Sequence, residues 1–282
     1  MTTVRLAALA ALDAVPFNVG FARAVVDGVA DGELWADSAA DPRAFHAIHP
    51  CGMSLAWGPG LGDAAEDVVR RVRGRAADGD GEWLQVDSRW HHLDWDRLLG
   101  AVPLGRWTGE DGSTPQRPGD GVVVVRRTRV NFAFDAEAFA ARGRRVPDAG
   151  TGHRVRRAAE DDFAWSGSTV PGRFWPDAAA FVAHGGGWVV EADGTPAAIA
   201  FCSFRNGDEV EIGIETVPAL RRRGLAALVA SAMIKDLLGS GLLPVWSCRE
   251  DNAGSFRLAE ALGFRPVLRL PYFQVLSAAP SA

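Results

Sequence analysis

The chain has 282 residues, 48% hydrophobic and 23% charged, a globular composition that excludes a disordered or fibrous protein and leaves room for two domains. Its formal net charge of -5 argues against a general nucleic-acid binder, because phosphate backbones call for a basic surface. Three cysteines, Cys51, Cys202 and Cys248, are too few for a disulfide framework, and no stretch approaches the roughly 20 apolar residues of a membrane span, so a cytoplasmic protein without a membrane partner is expected.

In chain order, residues 1–12 read as an amphipathic first helix, and Asp13 interrupts the apolar run where a leader peptide would need its cleavage region. Strands are predicted at 52–57, 83–87 and 122–125, and helices at 63–72 and 90–99, from apolar spacing at the strand or helix period. The glycines and prolines crowded between 100 and 121 predict a long surface loop. A second polar break at 142–152 sets the expected boundary near residue 150, with an N-terminal domain over 1–150 and a C-terminal one over 151–282.

Beyond that break, 153–157 alternates as a short strand and 159–165 suits a short helix. Strands follow at 188–192 and 197–204, with Asp193-Gly194 and Asn206-Gly207 as hairpin turns. Val210, Ile212 and Ile214 alternate with Glu209, Glu211, Gly213 and Glu215, giving a third strand with one apolar face and an antiparallel meander. The period then changes. Leu225, Leu228, Val229, Ala232, Met233 and Leu237 keep helical spacing until Gly239 and Gly241 stop it. A strand at 242–248, a helix opened by Asn252 and ended by Gly263, and a last strand over 264–276 with bends at Pro266 and Pro271 complete an α/β fold, a mixed sheet with helices on its faces. The order strand–helix–strand–helix–strand occurs in both halves and reads as a structural duplication.

One segment carries chemistry. EIGIETVPALRRRGLA, residues 211–226, leaves a strand, crosses a proline and enters a helix. A helix start presents about four unpaired N–H groups and roughly half a positive charge, so it suits phosphate. Gly224 lets the backbone approach an oxygen closely, and Arg221, Arg222 and Arg223 add charge to the same turn. A diphosphate cradle follows. It is neither a Walker-type loop nor a dinucleotide fingerprint, since Gly-Lys-Ser/Thr and G-x-G-x-x-G are both absent from it.

Arg221-x-x-Gly224-x-Ala226 is similar to the R/Q-x-x-G-x-G/A acetyl-CoA signature of the GCN5-related N-acetyltransferases, the GNAT superfamily. NAGSFRLAEALGF at 252–264 resembles that family's next motif, in which an Asn opens a helix ending in Gly-Phe. EIGIET, GLA, PVWSC and the last helix resemble the subgroup that includes the zwittermicin A resistance acetyltransferase. HPCGMSLAWG and the NFAF at 131–134 extend the likeness weakly into the N-terminal half, which would then be a degenerate GNAT-like repeat. The resemblance implies that acetyl-CoA is the co-substrate. Glu215, Thr216 and Val217 would face its pantetheine arm. The amides of Arg221, Arg222, Arg223, Gly224, Leu225 and Ala226 would hold its pyrophosphate, with Asn252 and Ser255 contributing from the last helix.

Members of the family often carry a tyrosine in that helix as the acid for the departing thiolate; Ala259 stands there, and Tyr272 is the chain's one tyrosine. A thiol of pKa about 8.5 leaves as thiolate at pH 7 for roughly 2 kcal/mol, so water or Tyr272 would serve. The attacking amine, with a pKa of about 10, must first lose a proton. Glu211 and Glu215 share a face if their strand is regular, and this pair is the expected base; a bulge would separate them. Ser247 cannot do that work.

His46-x-x-His49-x-Cys51 has a metal-like look without a second ligand cluster, so no metal is expected. Gly58-Pro59-Gly60-Leu61-Gly62 falls where the N-terminal repeat would have its phosphate turn, but Asp63, Glu66 and Asp67 follow and would repel a diphosphate. That half would instead serve as scaffold, acceptor wall or homodimer surface. The expected activity is transfer of an acetyl group to a small-molecule amine. A CoA-binding sensor without turnover and a protein N-terminal acetyltransferase are the alternatives.

Overall fold

The structure, a computed structural model, describes residues 2–108, 121–143 and 152–277. The chain divides into two compact units: one takes the residues up to Arg129 and those from Arg269 on, the other Val130–Leu268. The boundary expected near residue 150 lies outside the described residues.

The first unit opens with α1 (Thr3–Leu12), capped by the Thr2 hydroxyl, and α2 (Gly20–Asp27), which Gly28 ends at φ 79°. Strands β1 (Glu33–Ala36), β2 (Phe45–Ile48) and β3 (Met53–Trp57) pair antiparallel in sequence order. Helix α3 (Ala65–Ala77) then crosses to β4 (Glu82–Val86), which lies parallel to β3. Val68, Val72 and Ala76 of α3 recur at one-turn spacing and are buried with Leu84 and Val86. Each such valine or leucine contributes about 1.5–3 kcal/mol through burial. A single turn at Ser88–Trp90 precedes α4 (Trp95–Leu99), where one longer helix was predicted. The expected loop at 100–121 begins instead with β5 (Val102–Pro103) and α5 (Leu104–Thr108); residues 109–120 lie outside the described set. Strand β6 (Val122–Phe134) runs well beyond the predicted 122–125, starting in the first unit and finishing in the second.

The second unit continues through α6 (Ala136–Gly143), β7 (His153–Arg157), the one-turn α7 (Ala178–Ala180), β8 (Gly187–Ala192), β9 (Thr195–Asn206) and β10 (Glu209–Thr216). β7 to β10 form the predicted antiparallel meander. Asp193 and Gly194 turn the first of the two predicted hairpins with φ of 51° and 76°, the left-handed geometry such a turn demands. Helix α8 (Leu225–Gly239) crosses to β11 (Leu243–Arg249), parallel to β10, and buries Leu225, Val229, Met233 and Ile234. Helix α9 (Ala253–Ala261) ends before Gly263 at φ 88°, where a Cβ would stand 2.7 Å from the Phe139 amide nitrogen. Strand β12 (Phe264–Ser277) follows, passing from the second unit to the first. Pro266 and Pro271 do not break it, since each removes only one ladder donor.

Candidate cofactor site

β10 pairs with β9 along its whole length, from 209 to 216, but with β11 only over 209–211 against 243–245. The parallel strands therefore fork after Glu211. Near the open end of the fork lies a cavity of about 600 Å³, lined by Ile214, Glu215 and Thr216 of β10, by Gly224, Leu225 and Ala226, and by Asn252, Ser255 and Arg257 of the α9 start.

The turn between β10 and α8 supplies the polar wall. Pro218–Leu220 forms one turn, closed by Leu220 N–H on Val217 O at 2.9 Å and Arg221 N–H on Pro218 O at 3.3 Å. Arg222 then takes φ 63°, a left-handed conformation that costs a non-glycine residue about 1–2 kcal/mol, and Gly224 takes φ 81°. Within α8 the first bonded amide is that of Leu228, which donates to Gly224 O at 3.0 Å. Among the described residues, the backbone N–H groups of 222–227 have no hydrogen-bond acceptor. Free amides, two left-handed residues and a helix N-terminus together make an anion-binding concavity.

The expected members of the site are sorted by this geometry. Thr216, Arg221, Arg222, Gly224, Leu225, Ala226, Asn252 and Ser255 all line the cavity, whereas Val217 and Arg223 do not. Val217 spends its N–H on Ala197 O at 3.0 Å, and Arg221 spends its own on Pro218. The Arg221 guanidinium is turned back onto the strand end, donating to Thr216 O and Glu215 Oε1, each at 3.1 Å. Asn252 caps α9 by accepting from Ser255 N at 3.2 Å, and Ser255 Oγ accepts from Trp246 Nε1 at 3.1 Å. Ala259 is buried completely.

The two glutamates keep a common face for an unexpected reason. Glu211 pairs with Phe204 and Ile212 with Cys202, so the bulge places its extra residue, Ser203, in β9 and leaves the alternation of β10 intact. The Phe174 ring accordingly meets both Phe201 and Phe204, at 5.4 and 5.3 Å. Their surroundings differ. Glu211 sits at the fork, 8% exposed, and accepts from the Ser247 hydroxyl. Glu215 lines the cavity with both oxygens engaged by donors from residues 168, 169, 216 and 221. Tyr272 is elsewhere: it is buried in the first unit, its ring 5.0 Å from that of Trp83 with the Arg129 guanidinium over it, and it does not line this cavity. Trp246 and Trp175 are core residues.

Sequence reasoning missed Ile214, whose main chain lies beyond the last β10–β11 pair, and Arg257, one turn along α9 from Gly254. It also missed Ser168 and Thr169. No local signal marks these two; a contact across 46 residues of chain brings them in.

Residues 153–273 match the family model of the GNAT acetyltransferases. Over those residues the chain is similar to the GNAT acetyltransferases. Over 142 residues the chain is 26% identical to the uncharacterized N-acetyltransferase YdfB of Bacillus subtilis, covering 49% of this chain and 53% of that protein, so the match spans about half the length of this curated relative. A GCN5-related N-acetyltransferase-like protein from Streptococcus suis shares the fold at TM-score 0.61 and 18% identity, over 89% of this chain and 90% of its own. A tandem GNAT protein from the clavulanic acid biosynthesis pathway does so at TM-score 0.57 and 14% identity, over 99% of this chain and 94% of its own. The fold likeness therefore takes in the N-terminal half as well. Among the described residues no helix is long and apolar enough to cross a membrane, and no group of three or more His, Cys, Asp or Glu is placed to hold a metal ion.

Proposed function

We propose that the chain transfers the acetyl group of acetyl-CoA to an amine of a small molecule, an antibiotic or another amine metabolite, by direct attack. The observation that carries this reading is the set of acceptor-free amides at 222–227. They fit a diphosphate: several donors converge from one turn, Gly224 removes the side chain that would obstruct an oxygen, and Arg222 and Arg257 supply charge at the rim. The β11-facing edge of Ile214, beyond the last strand pair, would take the amide-bearing arm, since Thr216 already gives its N–H to Glu215 and accepts from Arg221 at its carbonyl. Acetyl-CoA supplies the acyl group as an activated thioester.

The remaining chemistry belongs to the chain. An amine of pKa about 10 is protonated at pH 7, and freeing its lone pair costs roughly 4 kcal/mol. Glu211, which lies where the strands part although it does not line the cavity, would accept that proton, with the Ser247 hydroxyl donating to it. Main-chain N–H groups at the fork would face the charge that develops on the carbonyl oxygen. The sulfur needs little help, and water supplies its proton.

Incubation of the protein with acetyl-CoA and a broad amine panel, followed by free-thiol release, tests the reading. Acceptor-dependent release is expected. Tight CoA binding without release for any amine or peptide would point instead to a sensor, and the absence of CoA binding would overturn the proposal.

A further inference from the structure

Glu215, marked by its spacing as half of a basic pair, is committed elsewhere. Its Oε2 accepts from Ser168 N–H at 3.1 Å, Ser168 Oγ–H at 3.3 Å and Thr169 N–H at 3.3 Å. Its Oε1 accepts from Thr216 N–H at 3.2 Å and Arg221 Nη2 at 3.1 Å. A carboxylate offers about four lone-pair sites, and five donors already share them. The side chain is 10% exposed, so water contributes little. No acceptor capacity is left for the proton of an incoming ammonium.

The donors have a pattern. Ser168 and Thr169 form one wall of the cavity, while Thr216 and Arg221 belong to the strand end and the phosphate turn. Gly167 permits the approach: at φ +157° a Cβ there would stand 2.7 Å from Glu215 Oε2. We infer that Glu215 is a positioning residue, which ties the Ser168–Thr169 segment to the β10 end and to Arg221 and so fixes the cofactor cleft before ligand arrives. A cleft held in this way avoids the ordering cost that a loose wall would impose on binding. The inference rests on the acetyl-CoA reading and assigns within it a role other than proton transfer.

The test compares wild type with Glu215→Gln, Glu215→Ala and Gly167→Val, measuring CoA affinity by calorimetry, thermal midpoint, and the pH dependence of kcat. Gly167→Val displaces the loop while leaving the carboxylate chemically intact. All three variants are expected to weaken CoA binding by roughly tenfold or more, and the apparent pKa governing kcat should stay at the wild-type value. Variant affinities within twofold of wild type, or a shifted acid limb for Glu215→Gln, would overturn the positioning role while leaving the acetyl-CoA reading standing. A wild-type protein that does not bind CoA would remove both.

Discussion

After β3 the chain enters α3 through Gly58, Pro59, Gly60, Leu61 and Gly62; after β10 it enters α8 through Arg221, Arg222, Arg223 and Gly224. The first turn is richer in glycine, yet four of its nitrogens are spent. Gly60 N–H donates to Arg43 O at 2.8 Å, Leu61 N–H to Gly58 O at 3.3 Å, and the N–H groups of Asp63 and Ala64 to Gly60 O at 3.1 and 3.2 Å. Its glycines admit protein rather than ligand: a Cβ at Gly62 would lie 2.4 Å from the Trp90 ring, whose Nε1 donates to Gly58 O at 2.9 Å. The strands differ in the same sense, since β3 stays paired with β4 from 53 to 56, whereas β10 and β11 fork. Glu66 and Asp67 satisfy the α3 dipole from within. Glycine content alone does not leave amides free, and the proposed cradle at 222–227 rests on donors without acceptors.

The largest expected effect tests the fork. Glu211→Gln should lower kcat by about a hundredfold or more and remove the acid limb of its pH profile, because a neutral amide cannot take the proton. An unaltered profile would remove Glu211 as the base. Next comes the turn itself: Gly224→Val forces a β-branched residue to φ 81° and should weaken CoA binding by roughly a hundredfold. The matching change in the other turn, Gly62→Ala, should lower the thermal midpoint through its collision with Trp90 and leave CoA affinity untouched.

Acid should separate the two units. Burial holds His49 down from 6.5 to about 4. The fold thus resists its protonation, and the stability contribution is complete above pH 6.5 and lost as pH falls toward 4. The loss is about 3 kcal/mol. Burial raises the Glu82 carboxyl, but His46, Ser54 and Arg75 together draw it below the ordinary range, so its contribution is also lost on acidification. Spectroscopic unfolding against pH should show the first unit weakening in this window, and His49→Gln should flatten the slope. The smallest effect belongs to the rim. Arg222→Ala and Arg257→Ala should each weaken CoA binding by about tenfold at low salt and less at high salt.

The C-terminal elements were legible because local signals agreed: the alternation of Val210, Ile212 and Ile214, the Asp193-Gly194 turn, and the cap at Asn252 each match the element they mark. The N-terminal strands β1 and β2, four residues each, are too short to show a period and went unread although Asp31-Gly32, Asp41-Pro42 and Pro50 flank them. In the site, the turn at 221–226 was visible because a helix start is a local feature. Arg221 was expected to offer its amide to a pyrophosphate, but that N–H donates to Pro218 O and its guanidinium to Thr216 O and Glu215, bonds that no local spacing reveals. Glu215 looked like a base because spacing reports which face a side chain occupies and says nothing about donors brought from residues 168 and 169. Tyr272 was chosen as the chain's one tyrosine, and residue type alone could not reveal that it is buried against Trp83.

The contrast between the turns can be read directly from backbone amide resonances of isotopically labelled protein during a CoA titration. Saturable shifts at 222–227, with none at 58–64, are the outcome predicted here. Shifts that leave 222–227 undisturbed while CoA binds, or that appear instead at 58–64, would contradict it.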